Sequence, residues 1–201
     1  MTKAIIFDLG GVLIDWDPHH LYRKIFDSEQ QIDDFLANIC TMDWNEEQDM
    51  GRPLQEGTEL LVAQFPAHEA AIRAYYGRWE EMLGGVIHDT LKIFNQLKAT
   101  GRYRLYALSN WSAETFDIAR KHYGFLNDFD GIVISGLENM RKPFPQFYQL
   151  LLSRYQLKPD EALFIDDNYR NVLAAVQMGI PSIHFTGAAP LEKELHEKGI
   201  I

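Results

Sequence analysis

Five short apolar runs, at residues 4–7, 105–108, 131–134, 162–165 and 182–185, constrain this chain more than any other feature. Between them lie four segments whose apolar residues fall at helical spacing. These are Leu91, Phe94 and Leu97, then Phe116 and Ala119, then Phe147, Leu150 and Leu151, then Val172, Leu173 and Val176. A strand that is apolar at every position, rather than at every second one, must be covered on both faces. Such strands alternating with amphipathic helices predict a parallel sheet between two helical layers. Right-handed crossovers make it a doubly wound α/β domain.

From residue 17 to residue 83 the rhythm is different. The spacing there is helical throughout, carried by Leu21, Tyr22, Ile25 and Phe26, by Ile32, Phe35, Leu36 and Ile39, by Leu60, Leu61 and Phe65, and by Ile72, Tyr75, Tyr76 and Trp79. No strand is predicted in this stretch. Asp17-Pro18 reads as a helix N-cap followed by proline at the first helical position, and Gly84-Gly85 marks the return. The expected organisation is an α/β core of residues 1–16 and 84–201, with a helical cap of residues 17–83 inserted after the first strand. Ligands bind beyond the carboxyl ends of the strands in open α/β sheets, so an insert at that point sits as a lid over the binding crevice.

At 201 residues the chain has room for one core and a small insert. Its net charge of −10 argues against a nucleic-acid backbone or an anionic membrane surface as a partner. An anionic substrate would therefore need a local positive site. Cys40 is the single cysteine, which excludes an intrachain disulfide and points to a reducing, cytoplasmic setting. No apolar stretch approaches the roughly 18 residues of a membrane span. Asp8 also interrupts the N-terminal apolar run too early for a signal peptide.

Polar residues that the sheet does not require stand at four strand ends. The first strand ends in Asp8, before Leu9-Gly10-Gly11. The second ends in Ser109-Asn110. Arg141-Lys142-Pro143 follows the third, and the fourth ends in Asp166-Asp167. Taken singly, each has an ordinary use: a turn cap, a helix cap, a solvated charge, a helix start. Adjacent buried carboxylates, however, are destabilising without a cation. Brought to one crevice, a carboxylate nucleophile, a hydroxyl donor, a cation and an acidic pair suit a phosphate monoester bound with a divalent ion.

These segments give the chain its resemblance to the haloacid dehalogenase-like hydrolase superfamily. The matching elements are Phe7-Asp8-Leu9-Gly10-Gly11-Val12-Leu13, Leu108-Ser109-Asn110, Arg141-Lys142-Pro143 and Phe164-Ile165-Asp166-Asp167-Asn168. Within it the chain most resembles the bacterial glucose-1-phosphatase-like branch, which also carries a small helical cap. The resemblance implies a phosphatase of a small phosphorylated metabolite. Asp8 would attack phosphorus and form an aspartyl-phosphate. Mg²⁺ would be held by the Asp8 carboxylate, the Gly10 carbonyl oxygen and Asp166, with Asp167 binding directly or orienting a coordinated water. Ser109 would hydrogen-bond a phosphoryl oxygen with Asn110 in support, and Lys142 would neutralise the bound phosphate.

Gly10 departs from the family pattern, in which a second aspartate two residues after the nucleophile protonates the leaving group. Glycine keeps the carbonyl ligand and removes an acid typically worth roughly 10²–10⁴ in rate. Either the leaving group needs little protonation, as in an anomeric sugar, aryl or acyl phosphate, or another residue supplies the proton. Asp15, Asp17, His19 and His20 are the candidates at the mouth of the cap. Trp16, Trp44 and Trp111 are candidates for stacking on substrate, and Arg23 and Arg52 for reaching it. Two other functions compete. A metal-independent 2-haloacid dehalogenase would attack carbon with Asp8, and Tyr148 and Asn168 match that spacing. A weakly active phospho-binding regulatory module would keep the constellation and turn over poorly.

Overall fold

The computed structural model describes residues 2–201. The chain begins with β1 (Ala4–Phe7) and β2 (Ile14–Trp16). Five helices follow, α1 (Pro18–Tyr22), α2 (Glu29–Asn38), α3 (Met42–Asp49), α4 (Leu54–Gln64) and α5 (Glu69–Gly77), and then β3 (Leu83–Val86). Helices and strands then alternate through α6 (His88–Thr100), β4 (Arg104–Ser109), α7 (Ala113–His122), β5 (Gly131–Ile134), α8 (Ser135–Glu138) and α9 (Pro145–Arg154). The chain closes with β6 (Ala162–Asp166), α10 (Tyr169–Gln177), β7 (Ser182–His184) and α11 (Ala188–Glu197).

The five apolar runs form one sheet in the order β5-β4-β1-β6-β7, with every neighbouring pair parallel. This is the doubly wound arrangement expected from the strand composition. Alternate residues of the central strands enter two separate cores. Ile5, Phe7, Leu105, Ala107, Leu163 and Ile165 face one helical layer. Ala4, Ile6, Tyr106, Leu108, Ala162 and Phe164 face the other. Two buried faces explain why no polar residue interrupts the runs of the three central strands β4, β1 and β6. The chain winds from β1 outward to β4 and β5, then crosses to β6 and β7 on the other side. The carboxyl ends of β1, β4 and β6 therefore meet at the switch in direction, where ligand crevices form.

Residues 17–83 are helical up to their last residue, where the structure departs from expectation. Leu83 opens β3, which pairs antiparallel with β2. The two strands are three and four residues long, and one contains Gly84-Gly85, so neither shows alternation. Main-chain bonds make the ribbon. Ile87 N–H donates to the Leu13 carbonyl at one end, and Asp17 N–H to the Met82 carbonyl at the other, both at 2.9 Å. The entry and exit of the helical segment thus run side by side.

Local signals explain the helix starts. The Asp17 carboxylate caps α1 through His19 N–H with Pro18 in the first turn, Thr41 caps α3 through Trp44 N–H, and Asn168 caps α10 through Arg170 N–H. Helix α7 is capped by Ser112, which leaves Ser109 free of that duty. Within the helical segment, Tyr22 packs on Phe26, Phe35 and Tyr75. Among the described residues no helix is long and apolar enough to cross a membrane.

Candidate active site

Asp8 is the first residue beyond β1. Its N–H still donates to the Ile165 carbonyl at 2.8 Å, extending the ladder, while its side chain is lifted into the crevice. The tight loop behind it closes with Gly11 N–H donating to the Ile14 carbonyl at 2.9 Å. Gly11 has φ +71°, and a Cβ there would meet the Asp167 carboxylate at 2.2 Å. Only glycine allows the loop to pass beneath that acid. Gly10 is different, because a Cβ there has no neighbour within 4 Å. The position of the missing aspartate is open space.

Both oxygens of Asp8 are held. Oδ1 accepts from Leu9 N–H at 2.7 Å and from the Ser109 hydroxyl at 2.6 Å. Oδ2 lies 2.7 Å from Lys142 Nζ. Lys142 is fully buried and reaches Asp166 Oδ2 at 2.6 Å as well. Asn110 fixes the main chain beneath this lysine, its Oδ1 accepting from Lys142 N–H at 2.8 Å and its Nδ2 donating to the Lys142 carbonyl at 3.0 Å. Much of the Asn110 amide is therefore spent on positioning Lys142. Asp166 also accepts from Asn168 N–H at 2.8 Å and from Asn171 Nδ2 at 3.1 Å. Asn171 is a site residue that the sequence did not single out.

Burial pushes the Asp8 carboxyl up to about 6, against the pull of Lys142 and with the charge of Asp166 adding to the rise. Burial and the neighbouring Asp8 push Asp167 up to about 6. For Lys142, burial opposes the charge, but Asp166 and Asp8 outweigh it and hold the ammonium above its usual range. One lysine thus faces an excess of carboxylates. Asp8, Asp166 and Asp167 each offer an oxygen, and the three oxygens lie within 4.8 Å of one another. An all-oxygen donor set short of positive charge fits a hard divalent cation such as Mg²⁺.

Above these groups is a cavity of about 240 Å³ lined by Asp8, Gly10, Ser109 and Asp167 below and by the helical segment above. Trp16, Met42, Tyr76, Trp79 and Trp111 form its apolar wall. Trp16 and Trp111 therefore stand where substrate stacking was expected. Trp44 does not line it, since its indole donates to the Gly57 carbonyl at 3.0 Å and its rings pack on Tyr75 and Tyr76. Arg23 is paired with Glu29 on the surface, and Arg52 is bonded to Gln48. None of the four suggested replacement acids lines the cavity. Asp15 pairs with His20 at 3.0 Å, and Asp17 caps its helix while bonding His19. Tyr148 is buried and donates to the Asn171 carbonyl at 2.9 Å.

Two side chains of α3 enter the site unannounced by the sequence. Glu46 binds Arg141 at 2.5 Å and also Arg170, which ties the helical segment to the core. Asp49 lines the cavity. No motif flags either residue, because helical spacing alone does not tell which end of α3 meets the crevice.

A doubly wound sheet with a nucleophile-ready carboxylate, a buried lysine and an acidic pair at its strand ends defines a class of hydrolytic α/β enzymes. The chain belongs to the haloacid dehalogenase-like hydrolase family, whose model it matches over residues 2–179. It is similar to the sesquiterpene phosphatase astK of Aspergillus oryzae, with 29% identity over 97% of this chain and 95% of that protein. It is 23% identical to a D-ribitol-5-phosphate phosphatase of Bacteroides thetaiotaomicron, over 97% of each chain. A HAD family enzyme of the same bacterium, solved with magnesium and inorganic phosphate, superposes with a TM-score of 0.68 at 24% identity, covering 91% of this chain and 93% of the other.

Proposed function

We propose that the protein is a phosphoric monoester hydrolase that uses Mg²⁺ and an aspartyl-phosphate on Asp8 to release phosphate from a small organic ester. The observation that carries this reading is the double grip on Asp8, by Ser109 on one oxygen and Lys142 on the other, beside two further carboxylates. Its relatives named as phosphatases of a sesquiterpene and of D-ribitol 5-phosphate support it.

Substrate phosphate enters between Asp8 and the cavity. The Ser109 hydroxyl exchanges its carboxylate partner for a phosphoryl oxygen. Lys142 holds Asp8 ionised and offsets the charge arriving on phosphorus. Asn110 acts through Lys142, keeping its main chain fixed. Asp8, Asp166, Asp167 and the Gly10 carbonyl would hold Mg²⁺, which when bound neutralises the phosphoryl oxygens. Residues 17–83 serve as a cap, closing the leaving-group side with the apolar wall.

That wall favours an ester whose organic part presents a flat or apolar face, and an anomeric sugar phosphate has both a ring face and an acidic leaving hydroxyl. A panel of anomeric sugar phosphate, benzyl phosphate and glycerol phosphate tests this. With Mg²⁺, kcat/KM for the better of the first two is expected to exceed that for glycerol phosphate by about tenfold, the worth of a good aromatic contact. EDTA is expected to return all three to background. Glycerol phosphate as the best substrate would reject the role of the wall, and EDTA-insensitive turnover would reject the metal.

A further inference from the structure

The open space at Gly10 leaves the leaving group without its usual proton donor, and the cavity contains one carboxyl group that neither pairs with a cation nor belongs to the acidic cluster of Asp8, Asp166 and Asp167. Asp49 is the last residue of α3 and lines the cavity together with Asp8 and Gly10. We propose that Asp49 is the general acid of this enzyme, donating a proton to the leaving oxygen and taking one from the hydrolytic water, in place of the side chain absent at position 10. The assignment rests on the phosphatase reading above.

Three features of the geometry support it. First, the carboxyl is held in place. Its Oδ2 accepts from Asn45 Nδ2 at 2.8 Å. Asn45 is fixed in turn by the Tyr76 hydroxyl at 2.9 Å. Second, the main chain of Asp49 is pinned to the core. Its carbonyl accepts from the Ser135 hydroxyl at 2.5 Å, and that hydroxyl oxygen accepts from Trp111 N–H at 2.8 Å. An acid carried on the helical segment is thereby registered against the crevice. Third, the charges around it favour a neutral acid. Glu46, one turn earlier, takes both Arg141 and Arg170, and among the described residues Asp49 has no ion pair.

The groups facing Asp49 are Asp8 from the end of β1, Glu46 from its own helix, Arg141 from the loop before α9, and Tyr75 and Tyr76 from α5. Burial pushes its carboxyl up to about 7, with Glu46 and Asp8 adding to the rise and the Ser112 N–H and Arg141 opposing it. A donor poised near neutrality suits reversible proton transfer. Glu46 is unsuited to the role, since its two oxygens are taken by the Arg141 and Arg170 guanidinium groups.

In the first step an Asp8 oxygen bonds to phosphorus as the ester P–O bond breaks. The bonding pair leaves with the alcohol oxygen, which takes the Asp49 proton and departs neutral. In the second, a water oxygen bonds to phosphorus and the P–O bond to Asp8 breaks, its pair returning to the carboxylate. The water's proton passes to Asp49 and restores the acid.

The test compares kcat/KM for p-nitrophenyl phosphate, whose leaving group needs little protonation, with that for benzyl phosphate, whose leaving group needs much. The ratio of the two does not depend on the fraction of enzyme folded. Asp49→Asn keeps an oxygen for Asn45 and removes the acid. The benzyl-phosphate value is expected to fall by about 10²-fold or more relative to the p-nitrophenyl-phosphate value. Adding Gly10→Asp to that variant, into space where a Cβ meets nothing, is expected to narrow the gap again. An unchanged ratio in Asp49→Asn, with wild type active on both esters, would overturn the assignment alone. A wild type that cleaves neither ester with Mg²⁺ present would overturn the phosphatase reading and this assignment with it.

Discussion

Asp8→Asn is expected to lower kcat by about 10⁴-fold or more and to leave the fold intact, as measured by phosphate release and thermal melting. The amide keeps a carbonyl for Leu9 N–H and Ser109 but cannot attack phosphorus. Lys142 loses one partner and retains Asp166 at 2.6 Å, so no charge is left alone. The wild-type carboxyl is raised to about 6 in the folded protein by burial, and an unfolded aspartate titrates near 3.9. The folded state therefore holds the proton more tightly. Wild-type stability without Mg²⁺ should rise as pH falls from above 6 toward 4, and the ionised carboxylate is a net cost above that window. Asp8→Asn removes the cost, so the metal-free variant is expected to be more stable than wild type at pH 7.5 by on the order of 1–3 kcal/mol. A variant that melts well below wild type would contradict the description of Asp8 as a strained, functional charge.

Lys142→Met should have the opposite signature, losing both activity and stability. The lysine is fully buried between Asp8 and Asp166, with its ammonium 5.6 Å from the centre of the Phe164 ring. Methionine matches the stem and leaves two carboxylates facing each other without a counter-charge. Removing one partner of a buried ionic group costs about 3–5 kcal/mol. In a domain of this size that corresponds to a melting temperature lower by roughly 6–20 °C. Mg²⁺ is expected to restore part of the loss, because the cation replaces the missing charge. Combining Lys142→Met with Asp8→Asn should cost less than the sum of the two, since the facing pair then contains a single carboxylate. Additive effects would mean that the Lys142 and Asp8 charges do not act on each other. Activity of the single variant should fall by about 10²–10³-fold, the usual consequence of removing a charge-stabilising donor at a reacting centre.

The sheet was legible in the sequence because both its faces are buried. Strands β1 and β5 match the apolar runs at 4–7 and 131–134, and β4 and β6 extend theirs only by the polar residues at their ends. Those ends were also the legible half of the site. Asp8, Ser109, Lys142 and Asp166 converge because a doubly wound topology directs successive strand ends to one crevice. The ribbon of β2 and β3 was hidden, being short, glycine-bearing and made by main-chain bonds.

The upper half of the site was hidden for a related reason. Its residues are placed by how the helical segment docks, through Glu46 with Arg141 and Arg170 and through Ser135 with the Asp49 carbonyl. These contacts join residues about 90 or more positions apart, and no spacing rule reaches that far. Hence Asp15 and His20 drew notice and proved to be paired with each other, while Asp49 and Trp79 passed as ordinary helical residues.

Rapid acid quenching tests the covalent intermediate at Asp8 most directly. Enzyme mixed with Mg²⁺ and ³²P-labelled substrate, quenched within a turnover and digested, is expected to carry label on the Asp8 peptide. The label should be absent in Asp8→Asn and when EDTA replaces Mg²⁺. Phosphate released without label ever appearing on that peptide, or halide released from chloropropionate without metal, would contradict it.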